Sequence, residues 1–292
     1  MRQCFTYTAR NRRLTLGAQT RIMGIINVTP DSFSQDGCLT GNRHNFTEHA
    51  LRLARRHLRH GADVLDIGGE STRPGAARVT TAEETSRIIP VISRLSLIKK
   101  AIISVDTNKT TTAKAALDAG AHIINNIKGT QLNTSLLKMI ARYQAGIILM
   151  HMNQATPRTM QRDIHYTDIM TSIADSLRES IEKCLDNGIK SDKIMIDPGI
   201  GFGKTVEHNL IILNRLKTLS RLKMPILLGT SRKSFIGHTL NRDVRHRLWG
   251  TAATLALGIH NGAHMLRVHD VKAMADTARM TDAICNEKAT HD

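Results

Sequence analysis

Residues 101–106 read Ala-Ile-Ile-Ser-Val-Asp, residues 122–126 His-Ile-Ile-Asn-Asn, and residues 146–151 Gly-Ile-Ile-Leu-Met-His. Each is a short β-branched run that stops on a polar residue, as a fully buried strand with a functional end does. Working outward, the same unit recurs eight times, at 22–26, 63–67, 101–105, 122–124, 146–150, 193–196, 225–228 and 264–268. Between the runs lie helix-period segments such as Leu51, Leu53, Ala54 and Leu58, or Ile173, Leu177, Ile181 and Leu185, suited to cover the outside of a sheet. Eight units between residues 22 and 285 average about 33 residues each, the length a βαβ unit requires. No Pro/Ser-rich linker or composition break divides them, so the spacing predicts one closed (β/α)8 barrel of the TIM type in place of two doubly wound domains.

Composition agrees with a globular α/β chain. Of 292 residues 41% are hydrophobic and 23% charged, which excludes a wholly disordered or collagen-like chain. The longest clean apolar stretch, Ile147 to Met150 after Ala145 and Gly146, is far below a membrane span, so no membrane partner is expected. Cys4, Cys38, Cys184 and Cys285 are scattered without a C-x-x-C pair, which fits a reducing, cytoplasmic setting. Charge is the anomaly: 41 Lys and Arg against 25 Asp and Glu leave +16, pointing to anionic partners. Nine aromatics offer few platforms for stacking unpaired bases, so nucleic acid is not the expected partner despite the charge.

In a parallel barrel the chemistry gathers at the C-terminal strand ends. Here those positions hold Asn27, the Glu70-Ser71-Thr72-Arg73 segment, Asp106, Asn125 and Asn126, His151, Asp197, Ser231-Arg232-Lys233, and Arg267 with His269. Asp106, Asn125, Asp197 and Lys233 supply acceptors, donors and both charges, suited to a heterocycle with amide and amine edges. Arg267, His269 and Asn27 come from the last and first strands, which adjoin once the barrel closes, and suit a phosphate or diphosphate with a metal.

Other motifs carry less. Gly199-Ile200-Gly201-Phe202-Gly203-Lys204-Thr205 ends like a Walker A loop, but Pro198 stands where that loop needs Gly, and the stretch reads as a sharp turn before a helix entered near Val206. Arg52, Arg55, Arg56 and Arg59 fall on one helix face and read as a solvated stripe. His57 with His60, and His260 with His264, lack a neighbouring carboxylate and read as surface or strand-start residues.

Ile25-Ile26-Asn27-Val28-Thr29-Pro30-Asp31-Ser32-Phe33-Ser34 and Asp66-Ile67-Gly68-Gly69-Glu70-Ser71-Thr72-Arg73-Pro74-Gly75 resemble the two signature segments of the dihydropteroate synthase family. The resemblance continues through Ser104-Val105-Asp106-Thr107, Leu149-Met150-His151-Met152, residues 197–204, Ser231-Arg232-Lys233-Ser234 and Arg267-Val268-His269-Asp270, in order and on the expected strand ends. It implies a barrel enzyme of folate biosynthesis that condenses p-aminobenzoate with (7,8-dihydropterin-6-yl)methyl diphosphate, giving 7,8-dihydropteroate and diphosphate. Residues 1–20, where Phe5, Tyr7, Leu14 and Leu16 alternate with polar neighbours, are expected to form an N-terminal strand or hairpin extension that plugs the N-terminal mouth, with 21–285 as the pterin-binding barrel and 286–292 as a polar tail.

Carried over residue by residue, the resemblance implies a catalytic set of Asp106, Lys233, Arg267 and Asp31. Asp106, Asn125, Ile127, Met150, Asp197, Phe202 and Lys233 would hold the pterin. Asn27, Arg267 and His269 would grip the diphosphate, with Asn27 as the ligand of Mg2+. Phe33, Thr72, Arg73, Pro74 and Ser234 would form the p-aminobenzoate pocket. The same resemblance implies a sulfonamide target and a homodimer through late helices, for which Leu248, Trp249, Ala252, Leu255 and Ala256 supply an apolar face by their spacing. The chain departs from the family at Asn126, where Asp is common, at Lys128, and at Gln35-Asp36-Gly37, which shifts the loop acid by one place. Two alternatives stand beside this reading: a pterin enzyme moving methyl groups from methyltetrahydrofolate to a corrinoid protein, and a non-catalytic basic nucleic-acid-binding protein.

Overall fold

The computed structural model describes residues 2–29, 43–70, 79–126, 132–152 and 164–288. Strands β1 (Phe5–Ala9) and β2 (Arg12–Leu16) form an antiparallel hairpin with Phe5 opposite Leu16. Eight parallel strands follow: β3 (Arg21–Asn27), β4 (Val64–Gly68), β5 (Ile103–Asp106), β6 (Ile123–Asn126), β7 (Gly146–Met150), β8 (Ile194–Asp197), β9 (Leu227–Leu228) and β10 (Met265–Val268). Their order is β8-β7-β6-β5-β4-β3-β10-β9, and a parallel bridge between Ile196 and Ile226 brings the two outer strands together, so the sheet curls into a barrel.

Each expected apolar run carries a strand. The run at 225–228 carries the shortest, and the reason is local. Pro225 has no N–H to give a ladder, and the Ile226 N–H donates to the ring Nδ1 of His264 at 3.1 Å instead of to a strand.

The helices are α1 (Arg43–Arg59), α2 (Thr81–Leu95), α3 (Thr110–Asp118), α4 (Thr134–Tyr143), α5 (Ile169–Asp186), α6 (Val206–Asn214), α7 (Ser234–Leu240), α8 (Leu248–His260) and α9 (Val271–Asn286). The helix after β8 begins at Val206 as its sequence predicts, because Thr205 accepts from the His208 N–H while His208 reaches back to the Thr205 N–H.

Period-two alternation divides each strand between two cores. One side of the sheet, with Ile22, Ile26, Leu65, Ile67, Ile103, Val105, Ile147, Leu149, Leu266 and Val268, packs under the helices. The other side lines the barrel interior, where Met23, Val64, Ile102, Ile123, Ile148, Met195, Leu227 and Met265 form an apolar floor together with Tyr7, Ala9, Leu14 and Leu16 of the hairpin. The hairpin thus stops the N-terminal mouth of the barrel, as the alternation of its residues predicts. Arg2 and the N–H and hydroxyl of Thr20 converge on the buried carboxylate of Asp282 in α9 at 2.5–2.8 Å, tying the chain just before and after the hairpin to the last helix.

Two expectations need correction. His57 is not a surface residue: it is buried, its Nε2 lies 3.1 Å from the Ile25 carbonyl, and burial pushes its pKa down to about 4. The helix period turns it inward against Gly24, where an added Cβ would sit 2.9 Å from the ring. Leu255 also faces the core with no exposed surface, so the outer apolar face of the late helices is Trp249 and Leu257 of α8 with Met280 and Ile284 of α9. The arginine stripe on α1 is exposed throughout, as read.

Candidate active site

One two-residue step above the apolar floor, five of the eight inward positions of the strands turn polar. The eight are Ile25, Asp66, Ser104, Asn125, Met150, Asp197, Gly229 and Arg267, and the next step holds Asn27, Asp106 and His269. Buried carboxylates need partners, and the partner here arrives from the last strand. Arg267 Nε donates to Asp66 Oδ2 at 2.7 Å and Nη2 to Asp106 Oδ2 at 2.8 Å, so one guanidinium spans two acids from β4 and β5. Asn125 Nδ2 donates to the same Asp66 oxygen at 3.2 Å.

Burial raises the carboxyl pKa of Asp106, against the pull of Arg267 and with help from Asp66. Asp197 is raised by burial as well, while Lys233 opposes the shift, and its Oδ1 accepts from the Gly199 N–H at 2.7 Å. Lys233 donates to the Ile200 carbonyl, lies 4.6 Å from the Phe202 ring centroid, and has its pKa pushed down to about 8, chiefly by burial. Met150, the register partner of Asp197, is buried beside it.

The glycine-rich turn after β8 follows from close approach. At Gly199, φ is +68° and an added Cβ would lie 1.9 Å from the His151 carbonyl oxygen, so no side chain fits. This turn brings Phe202 and Lys204 back over the strand ends. On the far side, His269 Nδ1 lies 3.0 Å from Ser231 Oγ, which also accepts from the His269 N–H at 3.2 Å. Asn27 ends β3 half-buried, with its Oδ1 3.3 Å from where a Cβ on Gly68 would stand. Ser234 is exposed at the start of α7. Asp31, Phe33, Thr72, Arg73, Pro74 and Ile127 lie outside the described residues, as do Asp36 and Lys128.

Asp106, Asn125, Met150, Asp197, Phe202, Lys233 and Arg267 therefore meet at one end of the barrel, with Asn27 and His269 at its rim. Three residues without an assigned role join them. Asp66 is the hub of the ion pairs, and its signal was an acid inside a five-residue apolar run. Lys204 is buried, with Nζ 3.0 Å from both His151 Nδ1 and the Phe202 carbonyl, and burial pushes its pKa down to about 7. His151, brought down to about 2 by burial and by Lys204, stays neutral and accepts from that amine. Lys204 stands in the glycine-rich stretch and in signature segment 197–204, but its neighbours in sequence gave it no role, because His151 reaches it only in the folded barrel. Lys109 bridges Glu70 at 2.5 Å and the buried Glu84 at 2.7 Å, joining the end of β4 to α2.

A pterin-binding enzyme family model matches residues 23–269, spanning this whole ring of strand ends. The chain belongs to the pterin-binding enzyme family. It is 41% identical over 278 residues to the dihydropteroate synthase of Bacillus subtilis, covering 95% of this chain and 93% of that one. A Yersinia pestis dihydropteroate synthase solved with a sulfonamide drug is 40% identical, with a TM-score of 0.88 over 97% of this chain and all of that one. The Xanthomonas albilineans dihydropteroate synthase in complex with 7,8-dihydropteroate is 36% identical, with a TM-score of 0.83 over 96% of this chain and 98% of that one. Within the pterin-binding family the chain groups with the dihydropteroate synthases, transferases of folate biosynthesis, as the signature segments implied. The corrinoid methyltransferase and nucleic-acid-binding readings give way to it.

Proposed function

We propose that this chain makes 7,8-dihydropteroate by an SN1-like displacement, with each residue in the role its signature position implies. The observation that carries the reading is the convergence of Arg267 from β10 on Asp106 from β5, within the ring completed by Asn125, Asp197 and Lys233. Asp106, Asn125 and Asp197 bind the ring edges of the dihydropterin, Lys233 donates to an acceptor on it, and Met150 and Phe202 lie against its faces. Arg267 and His269 hold the diphosphate.

The bond between the pterin methylene carbon and its oxygen breaks first, and the electron pair leaves with diphosphate. Charge developing on the leaving group is stabilised by the Arg267 guanidinium. The carboxylate of Asp106 stabilises the positive charge spread from the methylene into the ring. The amine of p-aminobenzoate, neutral at pH 7, then forms the new C–N bond and releases one proton to solvent, so no strong protein base is required. Asp31 orders the first loop, while Phe33, Thr72, Arg73, Pro74 and Ser234 form the p-aminobenzoate pocket. A sulfonamide, which shares the aniline of p-aminobenzoate, competes there.

The donor set at the rim fits magnesium. Asn27 would hold it through one neutral carbonyl oxygen, a hard ligand of the kind Mg2+ takes. The chemistry it would supply there is neutralisation of diphosphate charge. Among the described residues no cluster of three His, Cys, Asp or Glu competes as a metal site.

Two further readings belong to the proposal. Trp249, 80% exposed, with Leu257, Met280 and Ile284 forms an apolar face across α8 and α9 that pairs two copies into a homodimer. A cytoplasmic setting is supported by the free thiols of Cys4, Cys184 and Cys285, and no helix among the described residues is long and apolar enough to cross a membrane.

The deciding experiment follows diphosphate release and dihydropteroate formation with magnesium, the pterin diphosphate and p-aminobenzoate. Product that requires both organic substrates is the expected outcome. Pterin binding without dihydropteroate formation would overturn it.

A further inference from the structure

Asp66 has no exposed surface, yet a single oxygen of its carboxylate takes two side-chain hydrogen bonds from other strands. Its Oδ2 accepts from Arg267 Nε at 2.7 Å and from Asn125 Nδ2 at 3.2 Å. A guanidinium has only donors, so the Asp66 oxygen facing it is an acceptor. An acceptor can be met by the amide of Asn125 in one orientation alone, NH2 inward. The amide flip is thereby forced by chemistry, and the carbonyl oxygen of Asn125 becomes the end turned away from Asp66.

We propose that Asp66 is a positioning residue that sets the donor–acceptor polarity of the pterin pocket, locking Asn125 with its carbonyl oxygen toward the ligand and holding Arg267 beside Asp106. The inference rests on the dihydropteroate synthase reading, in which Asn125 lines that pocket. Asn125 Oδ1, Asp106 and Asp197 then present acceptors together, and a ligand edge made of N–H donors, such as the 2-amino group and ring N–H of a pterin, is matched. A ligand with a carbonyl at that position meets an acceptor with an acceptor.

The other Asp66 oxygen, Oδ1, is buried without a hydrogen-bond partner among the described residues, and so is the Oγ of Ser104, its register partner on β5. This separates charge from geometry. An asparagine at position 66 can place its carbonyl where Oδ2 now lies, still accepting from Arg267 and Asn125, with its amide on the unpartnered side next to Ser104. An alanine leaves the Asn125 amide without a partner to fix it.

The test measures the affinities of a 2-amino-4-oxopteridine and of its 2,4-dioxo counterpart by fluorescence titration, in the wild-type enzyme, Asp66→Asn and Asp66→Ala, with folding checked by circular dichroism and thermal melting. A preference for the amino compound on the order of tenfold or more is expected to be lost in Asp66→Ala and kept in Asp66→Asn, since a site built for a donor rejects its isostere. A merely structural role would weaken both ligands alike and leave their ratio unchanged, and that result in folded Asp66→Ala overturns the inference. Should Asp66→Ala fail to fold, Asp66→Leu, of similar size and likewise without an acceptor, decides: an unchanged ratio of the two affinities refutes the positioning role, while a lost preference for the amino compound supports it. Wild-type enzyme that binds neither pteridine and forms no dihydropteroate would sink the functional reading itself, a failure visible before either variant is compared.

Discussion

The floor of the barrel and the ring above it differ by one two-residue step along the same strands, yet they obey opposite rules. Met23, Val64, Ile123, Ile148, Met195, Leu227 and Met265 pack with Tyr7 and Leu16 of the hairpin, and nothing polar from the strands enters their layer. Each such side chain contributes roughly 1.5–3 kcal/mol by leaving water. The ring instead buries Asp66 and Asp197 and half-buries Asp106, Lys233 and Arg267, which costs desolvation that ion pairs and hydrogen bonds only offset. One half of the interior holds the fold together, and the other spends stability to hold charges where a pterin and a diphosphate meet them. A barrel can do both because the hairpin seals one end and leaves the other open.

The contrast is broken most sharply at Asp106. Replacing it with alanine should lower dihydropteroate formation by about a thousandfold or more, with a melting temperature equal to or above wild type, because burial disfavours the ionised form of this acid. Steady-state assays paired with calorimetry check this, and activity within tenfold of wild type would remove Asp106 from the chemistry. Leu16→Ala should show the reverse pattern, losing about 2–5 kcal/mol in denaturant unfolding with kcat unchanged in the folded enzyme. A large fall in kcat there would mean that floor and ring are not separable.

A subtler distinction comes from pH. With the Lys233 pKa pushed down to about 8 by burial, its positive charge and the charge-assisted hydrogen bond it gives fade as pH rises through about 8, and the rate should fall on that limb. Stability moves the other way. Between about 8 and about 10.4 the unfolded chain holds the Lys233 proton that the folded one has lost, so this group adds to stability as pH rises. Lys233→Met should abolish its share of the stability slope, and Lys233→Arg should shift the alkaline limb of the rate profile upward; pH–rate curves and melting across the same range test both. The smallest effect belongs outside the barrel. Arg55→Ala on the exposed stripe should change stability by less than about 0.5 kcal/mol and leave turnover at saturating substrate unaltered, while a large loss would give the stripe a role beyond solvation.

Much of this was legible in the chain because it is local. A β-branched run ending on Asn or Asp announces a strand and its functional end at once, and residues 101–106 and 122–126 fold that way. His57 misled because a histidine between arginines has a polar name, and only the helix packed on Gly24 shows that its face is inward. Asp66 lay in plain sight within a signature segment, but nothing near it in sequence says what a buried acid there would bind.

The sequence by itself determined where the eight strands run, which chemical groups stand at their ends, and that the hairpin has an apolar face, since each depends on neighbours a few residues away. Tertiary structure alone decided that Arg267 pairs with Asp66 and Asp106, that one carboxylate oxygen holds both a guanidinium and an amide, and that Lys204 and Lys233 lose much of their basicity. The physical reason is the same in each case. These partners are separated along the chain by as many as 201 residues, and they acquire a common low-dielectric environment only when the last strand closes beside the first.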